Sequence, residues 1–161
     1  MFLKSPISNA DVLGIRIVEG CTSINILALY VTSGASVSDY TEISSYMETH
    51  WNIANNYIII GDFNIPQYAS QFLTDNIMNF SGSFVPLKDF IDYNNLKQHN
   101  LIFNHNDRLL DLVFTSSDLQ CDINRCECPL VPEDNHNPSL ELSISKSTDD
   151  TSPPFKATSC K

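Results

Sequence analysis

The order of apolar and polar positions divides the chain into short extended runs and a few helical ones. Between Asn9 and Ile17 the segment VLGIRIV reads as a strand, and Glu19-Gly20 supplies a turn before the next apolar run. Ile24 to Val31 (INILALYV) is almost continuously apolar, which predicts a central strand covered on both faces. Val37, Tyr40, Ile43, Met47 and Trp51 recur at three- and four-residue steps, and Ser36 with Asp39 forms a capping signature at their start, so an amphipathic helix follows. Tyr57 to Phe63 (YIIIGDF) is a second buried strand ending in a glycine and an acid. Phe72, Ile77 and Phe80 suggest a second helix, and Leu87, Phe90, Ile91 and Asn94 a short third one. Leu101 to Asn104 and Leu109 to Thr115 read as strands joined by the polar turn His105-Asn106-Asp107, and Ser139 to Ser145 (SLELSIS) alternates as a half-buried strand.

Strand, helix, strand, helix and then several strands without helices between them predict a layered α/β sandwich with mixed sheets and helices outside. A uniformly parallel, doubly wound fold fits less well. Residues 1–145 form the expected domain, and the polar, proline-containing 146–161 is expected to be a disordered tail.

Composition narrows the classes. A chain of 161 residues has room for one domain, and 42% hydrophobic against 17% charged residues excludes disorder of the whole chain. No apolar run reaches bilayer length, and the N-terminal apolar stretch is too short for a secretory signal, so a soluble, intracellular protein without a membrane partner is expected. Nine Lys and Arg against nineteen Asp and Glu give a net charge of -10, which disfavours holding nucleic acid by charge alone. Divalent cations bound at carboxylates would invert the local field and weaken that exclusion. The five cysteines, Cys21, Cys121, Cys126, Cys128 and Cys160, lack the even count and spacing of a disulfide framework. Cys126 and Cys128, with Cys121 nearby, can be drawn as a soft-metal site, although buried or incidental thiols fit the spacing better.

Three places carry candidate chemistry. Gly61-Asp62-Phe63-Asn64 follows the second buried strand, and alternation along an extended chain puts Asp62 and Asn64 on one side. An ionised Asp can orient or deprotonate water or bind a hard cation, while an Asn amide can hold a substrate oxygen. The plain alternative is a strand-end turn with both residues capping backbone. Asp111, between leucines in LLDLVF, is a carboxylate in an apolar strand and demands a partner, either a histidine or a cation. Glu133-Asp134-Asn135-His136-Asn137-Pro138 combines two carboxylates with an imidazole, and a histidine there can act as acid, base or stabiliser of a phosphoryl transition state. His50, His99 and His105 are expected to have surface or packing roles.

An apolar strand ending in Tyr30, then IIIGDFN (Ile58 to Asn64), then RLLDLVFTS (Arg108 to Ser116), then a D-x-H-x-P segment before a strand resembles the endonuclease/exonuclease/phosphatase superfamily. The likeness is greatest to the endonuclease domains of non-LTR retrotransposons and covers roughly residues 10 to 145. That resemblance implies a four-layer α/β sandwich and Mg²⁺-dependent hydrolysis of a phosphodiester in DNA, with a reverse transcriptase as partner in a full-length element. It implies that Asp62 activates water, Asn64 positions the phosphate, Tyr30 offers a hydroxyl near the scissile group, His136 stabilises developing charge and Asp111 holds that histidine's tautomer. Asp62 and Asp134 are the implied metal residues.

Two departures from the family pattern weaken the expected activity. Asn135 stands where the closing motif has an acid before its histidine, which leaves Asp134 as the nearest substitute. The family's Asn-bearing strand and its metal-binding Glu have no counterpart upstream of the first strand, so the resemblance implies an N-terminally truncated copy with an exposed sheet edge. The expectation is therefore a DNA endonuclease of retroelement origin, weakened or inactive. Its alternatives are a non-catalytic relic or binding module, and a phosphatase of a small phosphoester.

Overall fold

The first two apolar runs pair with each other, and the polar turn between them is what allows it. In the computed structural model, which describes residues 7–20, 22–50, 56–65, 67, 82 and 84–146, β1 (Ala10–Glu19) and β2 (Thr22–Val31) form an antiparallel hairpin. Gly20 takes the left-handed conformation at φ 57° that the tight connection needs. The chain then enters α1 (Val37–His50), whose start is a capping box. The Asp39 amide donates to Ser36 Oγ at 3.3 Å, and Asp39 Oδ2 accepts from the Ser36 amide and hydroxyl, both at 2.6 Å. Tyr40, Ile43 and Met47 are buried as the spacing predicts. Trp51, the expected second helix with Phe72, Ile77 and Phe80, and the tail beyond Lys146 lie outside the described residues.

β3 (Asn56–Asp62) runs parallel to β2, and β5 (Asp111–Thr115) returns antiparallel to β3. Between them come α2 (Val85–Tyr93), started by Pro86 in its first turn, and the two-residue β4 (Lys97–Gln98). The resulting mixed sheet has the order β1-β2-β3-β5-β4. A second sheet pairs β6 (Leu119–Arg125) with β7 (Leu140–Lys146). Helices α1 and α2 cover one face of the large sheet, burying Val12, Leu27, Leu29, Val31, Ile59, Leu112 and Phe114. The small sheet covers the other face, where Ile58, Val113 and Leu119 meet Ile24, Ile26, Ile123, Leu142 and Ile144. Among the described residues, layers of helix, sheet and sheet make this the expected layered α/β sandwich, and the fourth layer that the resemblance implies is not among them.

Three readings change on inspection. Leu101 to Asn104 is a loop rather than a strand, because the buried Asn100 side chain intercepts the backbone that would pair there. Its Nδ2 donates to the Asp111 carbonyl at 2.7 Å and its Oδ1 accepts from the Ile102 amide at 2.9 Å. β6 was not expected, although Leu119, Cys121 and Ile123 alternate inward along it. Cys121 packs there among apolar side chains, and burial pushes its thiol up to about 11. Finally, β2 is covered fully only on its helix side. The small sheet reaches Ile24 and Ile26, whereas Tyr30 is 49% exposed and Leu13, Ile15 and Ile17 on the same face of β1 remain exposed.

Candidate active site

Register decides which candidate residues meet. Tyr30 lies opposite Asp62 across β2 and β3, and Asp62 lies opposite Asp111 across β3 and β5. Residues directly opposite in a ladder share a face with Cβ atoms about 5 Å apart, so Tyr30, Asp62 and Asp111 form one row. Asp11 on β1 lies opposite Tyr30 and extends this row by a second flanking carboxylate. Sequence reading missed Asp11, whose signal was its place in the hairpin register rather than any motif. A cleft of ≈ 350 Å³ adjoins the row's outer end, lined by Asp11, Val12, Leu13, Ala28, Leu29 and Tyr30.

The strand end is held by its neighbours. A Cβ at Gly61 would stand 1.7 Å from the Leu29 carbonyl oxygen, so glycine alone lets β3 come this close to β2. Immediately after, the Phe63 amide donates to the Leu110 carbonyl at 2.9 Å, and the Phe63 carbonyl accepts from the buried Tyr40 hydroxyl at 2.8 Å. Burial, then the Asp62 and Asp39 carboxylates, push that phenol up to about 12, which keeps it a donor.

Asn64 departs from the expected alternation. Its φ of 51° ends the extended chain, and its Nδ2 turns back to donate to the Val31 carbonyl at 2.7 Å. Asn64 nevertheless serves Asp62, whose Oδ1 accepts the Asn64 backbone amide at 3.0 Å. Burial raises the Asp62 carboxyl, the Asn64 amides lower it, and Asp134 and His136 act on it from across the site with opposite signs. Asp111 has less relief. Burial, then Asp62 and Asp134, push it up to about 6.

The 133–138 loop approaches this row but spends much of its polarity on itself. Asp134 Oδ1 accepts from the amides of His136 and Asn137, both at 2.7 Å, which holds this carboxyl below the usual range. Among the described residues its Oδ2 has only the Asn137 side-chain amide, at 3.2 Å. No hydrogen bond joins Asp111 to His136 among the described residues; the ring's partner is Asn106, whose Nδ2 lies 3.3 Å from His136 Nδ1. Asn104, buried beneath, donates from Nδ2 to the His136 carbonyl at 3.0 Å. Neither asparagine was singled out from the sequence, where they look like ordinary turn residues.

Among the described residues no three His, Cys, Asp or Glu side chains form a ready metal-ligating group. The donors present are oxygens, the type a hard cation takes, and the unrelieved repulsion between Asp62 and Asp111 is what a divalent cation would neutralise. His99 stands apart from the site, with Nε2 2.7 Å from Thr115 Oγ1, and His105 is exposed in the turn after Asn104.

Neither a family model nor a curated protein matches the sequence. Solved structures do. The endonuclease domain of TRAS1, a telomere-specific non-LTR retrotransposon, superposes with a TM-score of 0.57 at 13% identity, covering 93% of this chain and 70% of that one. An endonuclease/exonuclease/phosphatase from Beutenbergia cavernae gives a TM-score of 0.52 at 15% identity, covering 89% of this chain and 50% of that one. At these identities the likeness is one of fold.

Proposed function

Because the chain has the fold of the endonuclease/exonuclease/phosphatase superfamily, we propose that it is a metal-dependent phosphodiester hydrolase, a DNA endonuclease of retroelement origin with weakened turnover. The observation that carries this reading is the row Tyr30, Asp62, Asp111 across three strands, with His136 within electrostatic reach of Asp62. Asp62 orients the attacking water and takes its proton. Asn64 fixes Asp62 through its backbone amide and offers its second side-chain hydrogen to a phosphoryl oxygen. The Tyr30 hydroxyl, exposed at the outer side of the row, donates to another, and His136 stabilises charge as it develops on the phosphoryl group. Mg²⁺ would be held by Asp62 with the freer Asp134 Oδ2, and when bound it supplies charge neutralisation for the phosphate.

A non-catalytic binding module is the second reading. The commitment of Asp134 Oδ1 to two backbone amides favours it, because that carboxylate is already partly used as a turn former.

Nicking of supercoiled plasmid by the purified chain, with Mg²⁺ or EDTA and beside Asp62→Ala, separates the readings. Mg²⁺-dependent nicking that falls by about 10³ or more in Asp62→Ala is the expected result. A folded chain that leaves the plasmid intact under all conditions would remove the hydrolase reading.

A further inference from the structure

His136 meets an amide where a carboxylate was expected, and the two alternatives dictate different chemistry at the ring. A carboxylate can only accept, so it would hold the proton on Nδ1 and leave Nε2 as an acceptor. An amide nitrogen can only donate. Asn106 Nδ2 lies 3.3 Å from His136 Nδ1 and 3.5 Å from the Asn135 carbonyl oxygen. The carbonyl is an obligatory acceptor, so the nitrogen end of the Asn106 amide belongs on this side, and His136 Nδ1 must then accept.

We infer that Asn106 is a positioning residue that holds neutral His136 in the Nε2–H tautomer, so that the ring presents a proton donor to a phosphoryl oxygen. This rests on the hydrolase reading for its consequence, though not for its geometry.

The framework behind the contact is unusually well determined for a surface loop. Asn104 is 5% exposed, and all of its polar atoms are used. Its Oδ1 accepts from the amides of Asn106 and Arg108, both at 3.0 Å, while its backbone amide donates to the Arg108 carbonyl at 2.9 Å. Its Nδ2 donates to the His136 carbonyl. One buried side chain thus fixes the backbone of Asn106 and the backbone of His136 relative to each other, and the Asn106 side chain completes the link to the ring. With Nδ1 engaged, Nε2 is the nitrogen without a hydrogen bond among the described residues. A neutral imidazole that donates from Nε2 polarises a substrate oxygen without carrying a formal charge.

Tautomers are read directly from long-range proton–nitrogen correlation spectra of the full chain labelled with ¹⁵N-histidine, recorded near pH 8 where free imidazole is neutral. His136→Gln identifies the His136 signals. In the unmodified chain, His136 Nδ1 is expected at the shift of an unprotonated nitrogen and Nε2 at that of a protonated one. Asn106→Asp replaces the donor by an acceptor and is expected to invert the pattern, and Asn106→Ala is expected to relax it toward the mixture of free histidine. Asn106 is exposed, and an unchanged circular dichroism spectrum establishes that each variant is folded. A protonated Nδ1 in the unmodified chain, or a folded Asn106→Asp variant whose pattern does not invert, would overturn the inference.

Nicking supplies the second readout. Asn106→Asp should lower kcat by about 10² to 10³ with KM little changed, since a neutral ring that accepts at Nε2 has no proton to offer the phosphoryl oxygen. Because tautomers are read without substrate, inversion in a chain that never nicks sustains the positioning role and counts only against the hydrolase reading.

Discussion

At the scale of single residues, the site is governed by carboxylates that are short of compensation. Asp111 sits opposite Asp62 with its carboxyl pushed up to about 6, so the native state holds this proton more tightly than the unfolded chain does. The contribution of Asp111 to stability is therefore greatest below the unfolded value near 3.8 and declines as pH rises through about 6. Asp62, also raised by burial, acts with the same sign. Asp111→Asn removes the charge while keeping the shape. In EDTA it should raise the thermal midpoint at about pH 7.5 by an amount equivalent to about 1 kcal/mol, discounted because the group is partly exposed, and change little at about pH 4. Equal gains at both pH values in thermal melts would show that packing, not charge, sets the effect. Asp111 was legible from the sequence because a charge between leucines asks for a partner. The partner was not legible, since only the register of β3 against β5 brings Asp62 opposite.

Elements carry the next level of constraint, and β3 is the one whose chemistry depends most on its neighbour. Asp62 is delivered to the row because β3 lies flush against β2, and that approach runs through Gly61. Gly61 is at φ 149°, where side chains are rarely accommodated, and an added methyl would collide with the Leu29 backbone. Gly61→Ala should therefore cost about 3 kcal/mol or more in urea unfolding, beyond the usual effect of a strand substitution. A cost under about 1 kcal/mol would mean that β2 and β3 can separate without penalty.

The strands themselves were readable where apolar runs were long, as in β1, β2 and β3. They were misread where a polar side chain overrides local pattern. Asn100 turns an apolar run into a loop, and Asn64 twists a strand end into the left-handed region. Both are side chain to backbone effects whose partners, the Asp111 and Val31 carbonyls, are distant in sequence. Motif order singled out Asp62 and His136 as candidates, but the contacts of Asn104 and Asn106 with the 133–138 loop required the structure itself.

The molecule as a whole poses an electrostatic problem for any nucleic-acid substrate, because a chain of net charge -10 repels a polyanion. Among the described residues near the site the cationic resource is sparse. Arg108 is exposed on the loop that meets His136, whereas Arg125 is engaged by the Phe103 carbonyl at 2.9 Å and by Glu133 at 3.4 Å. With one or two cations available to displace counterions from phosphate, the slope of log K against log salt for a short DNA duplex should be only about -1 to -2. Fluorescence anisotropy in EDTA should accordingly give weak binding with that shallow slope. Added Mg²⁺ should strengthen binding in the unmodified chain, since a cation at Asp62 replaces repulsion by attraction, and the gain should shrink in Asp62→Asn. A slope near -5 in EDTA would mean that an extended basic surface holds the DNA and that the carboxylate row is not its point of contact. A gain with Mg²⁺ that survives Asp62→Asn would instead assign the effect to cations spread over the acidic surface. The two measurements together therefore test whether recognition is concentrated at the row of residues that the register of β2, β3 and β5 brings together.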